Sequence, residues 1–151
     1  MRLKVFIFFI IILLQSCGFN PIYENKNKSD LNIIITEFIG DEYLNNLIKN
    51  EINKISNNNS KNKFNIIINT KYEKLIISRD SKGSPDEYQL KVNSNVIIKI
   101  RNEETISINI NEKQNLKNTS DLFEQKNYEN VIKKSMANSI VRKINLQLLN
   151  K

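Results

Sequence analysis

The chain is 151 residues long with a formal net charge of +7, and it holds no histidine, one cysteine and three glycines. That length suits one domain, and the missing histidine removes the commonest general base and metal ligand. No paired thiols, Gly-rich phosphate loop or nucleophile elbow is present, so the composition points away from an enzyme and implies no cofactor or metal.

The first element is an export signal. Arg2 and Lys4 make a basic start, and Val5 to Leu14 is an unbroken apolar run. A bilayer span needs about 20 apolar residues, so this run is too short to be a membrane anchor. Its charged, apolar and small-residue layout is that of a secretory signal peptide over residues 1–16. The segment ends Leu14-Gln15-Ser16-Cys17, which resembles a bacterial lipobox. In a lipobox the cysteine thiolate is the nucleophile that takes the lipid, and cleavage leaves Cys17 as the acylated first residue. The competing reading is a short buried helix with an incidental cysteine. Gly18 stands where an Asp often signals inner-membrane retention, so the expected location is the outer membrane, facing the periplasm. Three acyl chains at about 0.8 kcal/mol per buried methylene exceed the threshold for stable anchoring.

Without Arg2 and Lys4 the mature chain carries 21 basic against 16 acidic residues, a net charge of +5. Export directs this charge away from nucleic acid and toward anionic lipid, anionic glycolipid or an acidic protein cavity. Residues 17–30 read as a lipidated, mostly polar tether carrying Phe19, Pro21, Ile22 and Tyr23. The remaining 31–151 read as a single domain. Leu31 to Phe38 is β-branched and aromatic, as a buried strand requires. Gly40 and Asp41 punctuate it, and Leu44, Leu47, Ile48, Ile52 and Ile55 place one apolar stripe on a helix from about Asp41 to Ser56.

Phe64, Ile66 and Ile68 open a long second strand that Leu75 to Ile77 resume. Arg79 to Asp86 is a loop. Tyr88 to Ile100 alternates throughout and gives a third strand; Asn102 and Glu103 suit a tight turn before a fourth at Ile106, Ile108 and Ile110. Residues 111–127 read as a polar loop, and from Tyr128 a helix of roughly twenty residues carries Ile132, Met136, Ile140, Ile144 and Leu148. One apolar and one polar strand face is the pattern of an antiparallel sheet covered on one side. The expected fold class is α+β, a two-layer sandwich with two amphipathic helices packed on one face of a four-stranded sheet. The carboxylate pairs Asp41, Glu42 and Asp86, Glu87 are sequence neighbours, which on a helix point about 100° apart, so they form no dyad.

Cys17-Gly18-Phe19-Asn20-Pro21-Ile22-Tyr23 resembles the mature amino terminus of the lipopolysaccharide-assembly lipoprotein (LptE) family in its alphaproteobacterial form. The element order and length are similar too. Ser78-Arg79-Asp80 with Gly83 and then Glu87-Tyr88 resembles that family's turn between its long second and third strands, whereas Glu42 and Tyr43 replace a basic residue often found early in its first helix. The resemblance implies a non-enzymatic outer-membrane lipoprotein. It would plug and help assemble the large LptD-like β-barrel translocon that carries lipopolysaccharide to the cell surface, with lipopolysaccharide itself as a ligand. A barrel lumen is polar, which suits a plug with one polar sheet face.

By their place in the turn, Arg79 and Lys82 are candidate contacts for lipid phosphates, the alternative being solvated turn residues. Phe19, Pro21 and Tyr23 are candidates for packing against the barrel or the membrane, or for stapling the tether to the domain. The nearest rival function is an auxiliary lipoprotein of an envelope lipid-transport system. A secretin pilot and a periplasmic hydrolase rank behind it, the first for its helical build and the second for want of a catalytic constellation.

Overall fold

The computed structural model describes residues 30–100 and 105–150. The signal peptide, Cys17, Phe19, Pro21, Tyr23 and the turn expected at Asn102 and Glu103 lie outside the described residues. Four strands and two helices follow in the order β1 (Asn32–Gly40), α1 (Glu42–Ile55), β2 (Lys63–Arg79), β3 (Pro85–Lys99), β4 (Thr105–Lys117) and α2 (Leu122–Leu149). The sheet order is β1-β2-β3-β4, and both helices pack on one face of it. The α+β sandwich expected from the sequence is the fold observed.

The sheet is mixed, not purely antiparallel. β1 pairs with β2 in parallel, from Asn32 against Lys63 to Gly40 against Thr70, while β2–β3 and β3–β4 are antiparallel. The cause is α1. A parallel pair cannot be closed by a tight turn and needs a crossover, which the 14-residue helix supplies. Asp41 caps that helix by accepting from the Leu44 amide at 2.8 Å. Ser56 ends it, and its Oγ accepts from the Ile33 amide at 2.9 Å, tying the far end back to β1. At the near end Thr70 Oγ1 donates to Asn45 Oδ1 at 2.8 Å, and the Asn45 amide donates to the Ile39 carbonyl at 3.2 Å.

Gly40 takes φ +97°, and a Cβ there would lie 1.8 Å from the Thr70 carbonyl oxygen. Only glycine fits that close approach, since it alone lacks the atom and tolerates the backbone angle.

The core lies between sheet and helices. Ile66 and Ile68 of β2 and Leu90, Val92, Val96 and Ile98 of β3 face Leu44, Ile48 and Ile52 of α1 and Met136, Ile140 and Ile144 of α2, all with negligible exposure. This is the apolar alternation of the sequence meeting the two predicted stripes. The opposite sheet face is polar and rich in asparagine; Asn69, Asn95 and Asn109 lie side by side in the register of three strands. There Asn95 Nδ2 donates to Asn109 Oδ1 at 2.7 Å and to Ser107 Oγ at 3.2 Å.

The expected loop over 111–127 is mostly ordered structure. β4 continues to Lys117, and α2 begins at Leu122 behind the Asp121 cap. The strand's inward residues here are Glu112 and Gln114, which meet Ser139 and Ser135 of α2 through hydrogen bonds, and then buried Leu116. Two polar inward residues between Ile110 and Leu116 interrupt the apolar alternation. Asp121 Oδ1 accepts from the amides of Phe123 and Glu124, so the helix starts nearly three turns before its apolar stripe does.

Candidate functional site

β2 is 17 residues long, about 56 Å at strand rise, against about 21 Å for the 14-residue α1. The β2–β3 hairpin therefore runs past α1, whose start lies level with Thr70. Leu75, Ile76 and Ile77 are all close to half exposed there. Ile76 is on the face that carries the core lower down, since it pairs with Tyr88 two residues before Leu90. Irregular pairing between Ile76 and Ser78 and again between Ser78 and Arg79 adds twist at the tip.

The turn is rigidly built from its own side chains. Asp80 Oδ1 accepts from the amides of Lys82 and Ser84 at 2.9 and 2.8 Å. The Asp80 amide donates to the Ser84 carbonyl, and the Gly83 amide to that of Asp80. Gly83 has φ +84° and open space where a Cβ would be. Arg79 Nη1 donates to the Gly83 carbonyl at 2.8 Å, so one nitrogen of its guanidinium braces the turn while the rest of the fork faces water. The Lys82 side chain has no partner among the described residues and is exposed. Arg79 and Lys82 thus share one turn, with Arg79 partly engaged and Lys82 free.

Two exposed apolar side chains stand at the same end of the domain. Asn118 donates through its amide to the Asp86 carbonyl and through Nδ2 to that of Pro85, both near 2.7–2.8 Å. This fixes the β4–α2 junction to the base of the hairpin tip. Leu122 and Phe123 follow it and are 79% and 76% exposed. Neither stands out by periodicity; the signal in the sequence is an apolar pair directly after the cap residue Asp121, within an otherwise polar stretch. Cations on a turn at the same end as exposed aliphatic and aromatic side chains suit an anionic amphiphile: charge-assisted bonds for the headgroup and apolar contact for the chains.

Below the tip, an ionic clasp joins β2 to α2. Glu129 accepts from the Tyr72 hydroxyl at 2.7 Å and pairs with Lys74 at 2.9 Å and Lys133 at 3.1 Å. Lys133 also lies 3.9 Å from the centre of the Tyr72 ring and 5.6 Å from that of Tyr43 on α1, and Lys74 lies 4.4 Å from the Tyr88 ring, within cation–π range. Burial alone would raise the Glu129 carboxyl; the hydrogen bonds from Lys74, Tyr72 and Lys133 outweigh it and hold it at about 2. Burial first and the carboxylate second push the Tyr72 phenol well above its ordinary range. These groups are consumed by one another, and their arrangement braces the hairpin rather than opening a site.

No cluster of three or more metal-ligating side chains occurs among the described residues, and no helix among them is long and apolar enough to cross a membrane. No protein-family model matches the chain, and no curated protein matches it. Its fold is that of solved lipoproteins. Rare lipoprotein B from Shewanella oneidensis superposes with a TM-score of 0.59 at 14% identity, over 80% of this chain and 93% of that one. Lipoprotein B from Nitrosomonas europaea gives 0.54 at 15% identity, over 81% and 86%. A lipoprotein from Caulobacter crescentus gives 0.54 at 10% identity, over 79% and 87%.

Proposed function

We propose that this chain is a non-enzymatic outer-membrane lipoprotein, anchored through Cys17, that plugs and helps assemble an LptD-like β-barrel translocon and aids insertion of lipopolysaccharide at the cell surface. The observation that carries this reading is the β2–β3 tip. Arg79 and Lys82 sit on a hydrogen-bonded turn at the end of the strand that carries exposed Leu75, Ile76 and Ile77, cations and aliphatic side chains at one end of the domain, which suits a phosphorylated glycolipid. The polar outer sheet face suits a polar barrel lumen, and the likeness in fold to solved lipoproteins supports the anchored form. The heptapeptide from Cys17 to Tyr23 adds the resemblance in sequence to the LptE family.

The test is a mild-detergent pull-down of the carboxy-terminally tagged protein from outer membranes. One large β-barrel in equal amount is the expected result. Transporter components in its place would instead favour an auxiliary lipoprotein of a lipid-transport system. The ligand assignment is tested separately by Arg79→Glu with Lys82→Glu, which is expected to weaken lipopolysaccharide binding while the domain stays folded. Unchanged binding would remove these two residues from the account. Cys17→Ala is expected to leave an uncleaved or mislocalised precursor; normal maturation would overturn the anchor.

A further inference from the structure

Among the described residues β4 is an edge strand with a bare rim. It runs thirteen residues and pairs there with β3 alone. Its register is unbroken from Glu87–Lys117 to Lys99–Thr105, and it holds no proline. Every second residue therefore turns its N–H and C=O away from β3. Edges of this length are usually blunted by a bulge, a proline or a short run. The opposite edge, β1, is nine residues and carries a bulge between Ile35 and Glu37; β4 carries neither device.

A groove accompanies this rim. Ser135 of α2 meets Gln114 at 3.4 Å and Ser139 meets Glu112 at 2.8 Å, so the helix runs alongside the strand in the opposite sense. Between them is an open groove of about 820 Å³ whose walls include Glu112, Val131, Lys134, Asn138 and Arg142. The only acid on those walls is already neutralised, because Glu112 pairs with Lys143 at 2.7 Å. Lys134 and Arg142 have no ion-pair or hydrogen-bond partner among the described residues. The groove thus combines unpaired backbone with two free positive charges. Val131, 66% exposed, adds an apolar contact.

We infer that the β4–α2 groove binds an extended acidic peptide as a fifth strand. Main-chain hydrogen bonds to the β4 rim hold it, and the two cations select its charge. The spacing is specific. Lys134 and Arg142 are eight positions apart in sequence, about 12 Å along a helix axis. Same-face residues on a strand recur about every 6.7 Å, so two carboxylates four residues apart match the two cations. Lys113 and Lys117 point to the other sheet face and leave this rim clear. This site is separate from the β2–β3 tip and does not rest on the function proposed above.

The full chain in mild detergent is titrated with a labelled nine-residue peptide of alternating threonine and valine carrying glutamates at positions 3 and 7. Saturable binding is expected, with slowed amide exchange at alternate β4 residues. Binding should fall at least tenfold with Lys134→Glu plus Arg142→Glu and stay unchanged with Arg79→Glu. Should the double variant fail to fold, Arg142→Gln alone carries the same expectation of weakening, and no weakening would count against the site. Equal binding of a peptide with lysines at those two positions would overturn the proposal. So would displacement by inorganic phosphate with no change in β4 exchange, which would mark a small-anion site. Self-association through β4 that excludes the peptide would overturn it in favour of a second copy of this chain.

Discussion

Tyr72 on β2 and Glu129 on α2, separated by 57 residues in sequence, share a 2.7 Å hydrogen bond. It joins the hairpin to α2 just past Thr70, where the strand begins to outrun α1. Lys74 and Lys133 complete the clasp from the strand and the helix, and Lys133 also reaches the Tyr43 ring of α1. The carboxylate thus joins β2 to α2, and Lys133 extends the link to α1.

That carboxylate makes stability depend on acidity. Its folded value of about 2 lies below its ordinary 4.5, so the stabilisation is fully present above about 4.5 and is lost as pH falls through about 2. Because the group is partly solvated, about 1 to 2 kcal/mol is expected rather than the full value of the shift. Urea unfolding between pH 5 and pH 2.5 is the measurement, and Glu129→Gln should flatten the slope. An identical slope in the variant would assign the pH dependence elsewhere.

Gly40→Ala should be among the most damaging single changes in the domain. The new Cβ would fall 1.8 Å from the Thr70 carbonyl oxygen at φ +97°, so β1 and β2 must separate or the backbone must flip. A loss of about 3 kcal/mol or more is expected, read as a fall in the thermal midpoint. Gly83→Ala, with open space at its Cβ position, should cost about 1 kcal/mol or a little more, from backbone strain alone.

Ser94→Ala should stabilise. Ser94 sits on the buried sheet face opposite Thr70 with its Oγ lacking any hydrogen-bond partner among the described residues. Removing a buried, unmatched hydroxyl recovers its desolvation cost, about 1 kcal/mol. A lower midpoint in chemical denaturation would show that the hydroxyl is matched in solution.

Asp121→Ala should cost about 1 kcal/mol. The side chain accepts from two first-turn amides of α2, and the loss should appear first as faster amide exchange over Leu122 to Lys126, ahead of the stripe that holds the helix to the core. Exchange unchanged in that turn would mean the cap is redundant.

The contrast between Asp41 and Asp121 shows why one helix start was legible in the sequence and the other was not. Asp41 stands after a glycine and directly before an apolar stripe, so cap and periodicity agree. Asp121 precedes nearly three turns whose apolar side chains, Leu122, Phe123, Tyr128 and Val131, are exposed; the stripe starts only at Ile132. The same holds for strands. Leu90 to Ile98 declares itself by burying every second residue, whereas Glu112 and Gln114 face inward as polar partners of α2 and interrupt the alternation. Arg79 and Lys82 were legible because glycine and proline mark a turn, but the clasp at Glu129 was not. No local pattern links Tyr72 to a carboxylate on another element.

The parallel pairing of β1 also decides how the domain bears load. The described chain enters at Asp30, beside the first residues of β1 and β2, while the β2–β3 turn lies at the other end of the same strands. Tension applied at Asp30 and resisted at that turn acts along the strand axes. It shears every bond from Asn32–Lys63 to Gly40–Thr70 together instead of unzipping them in succession. A pull on the chain at Asp30 is met by the whole ladder at once.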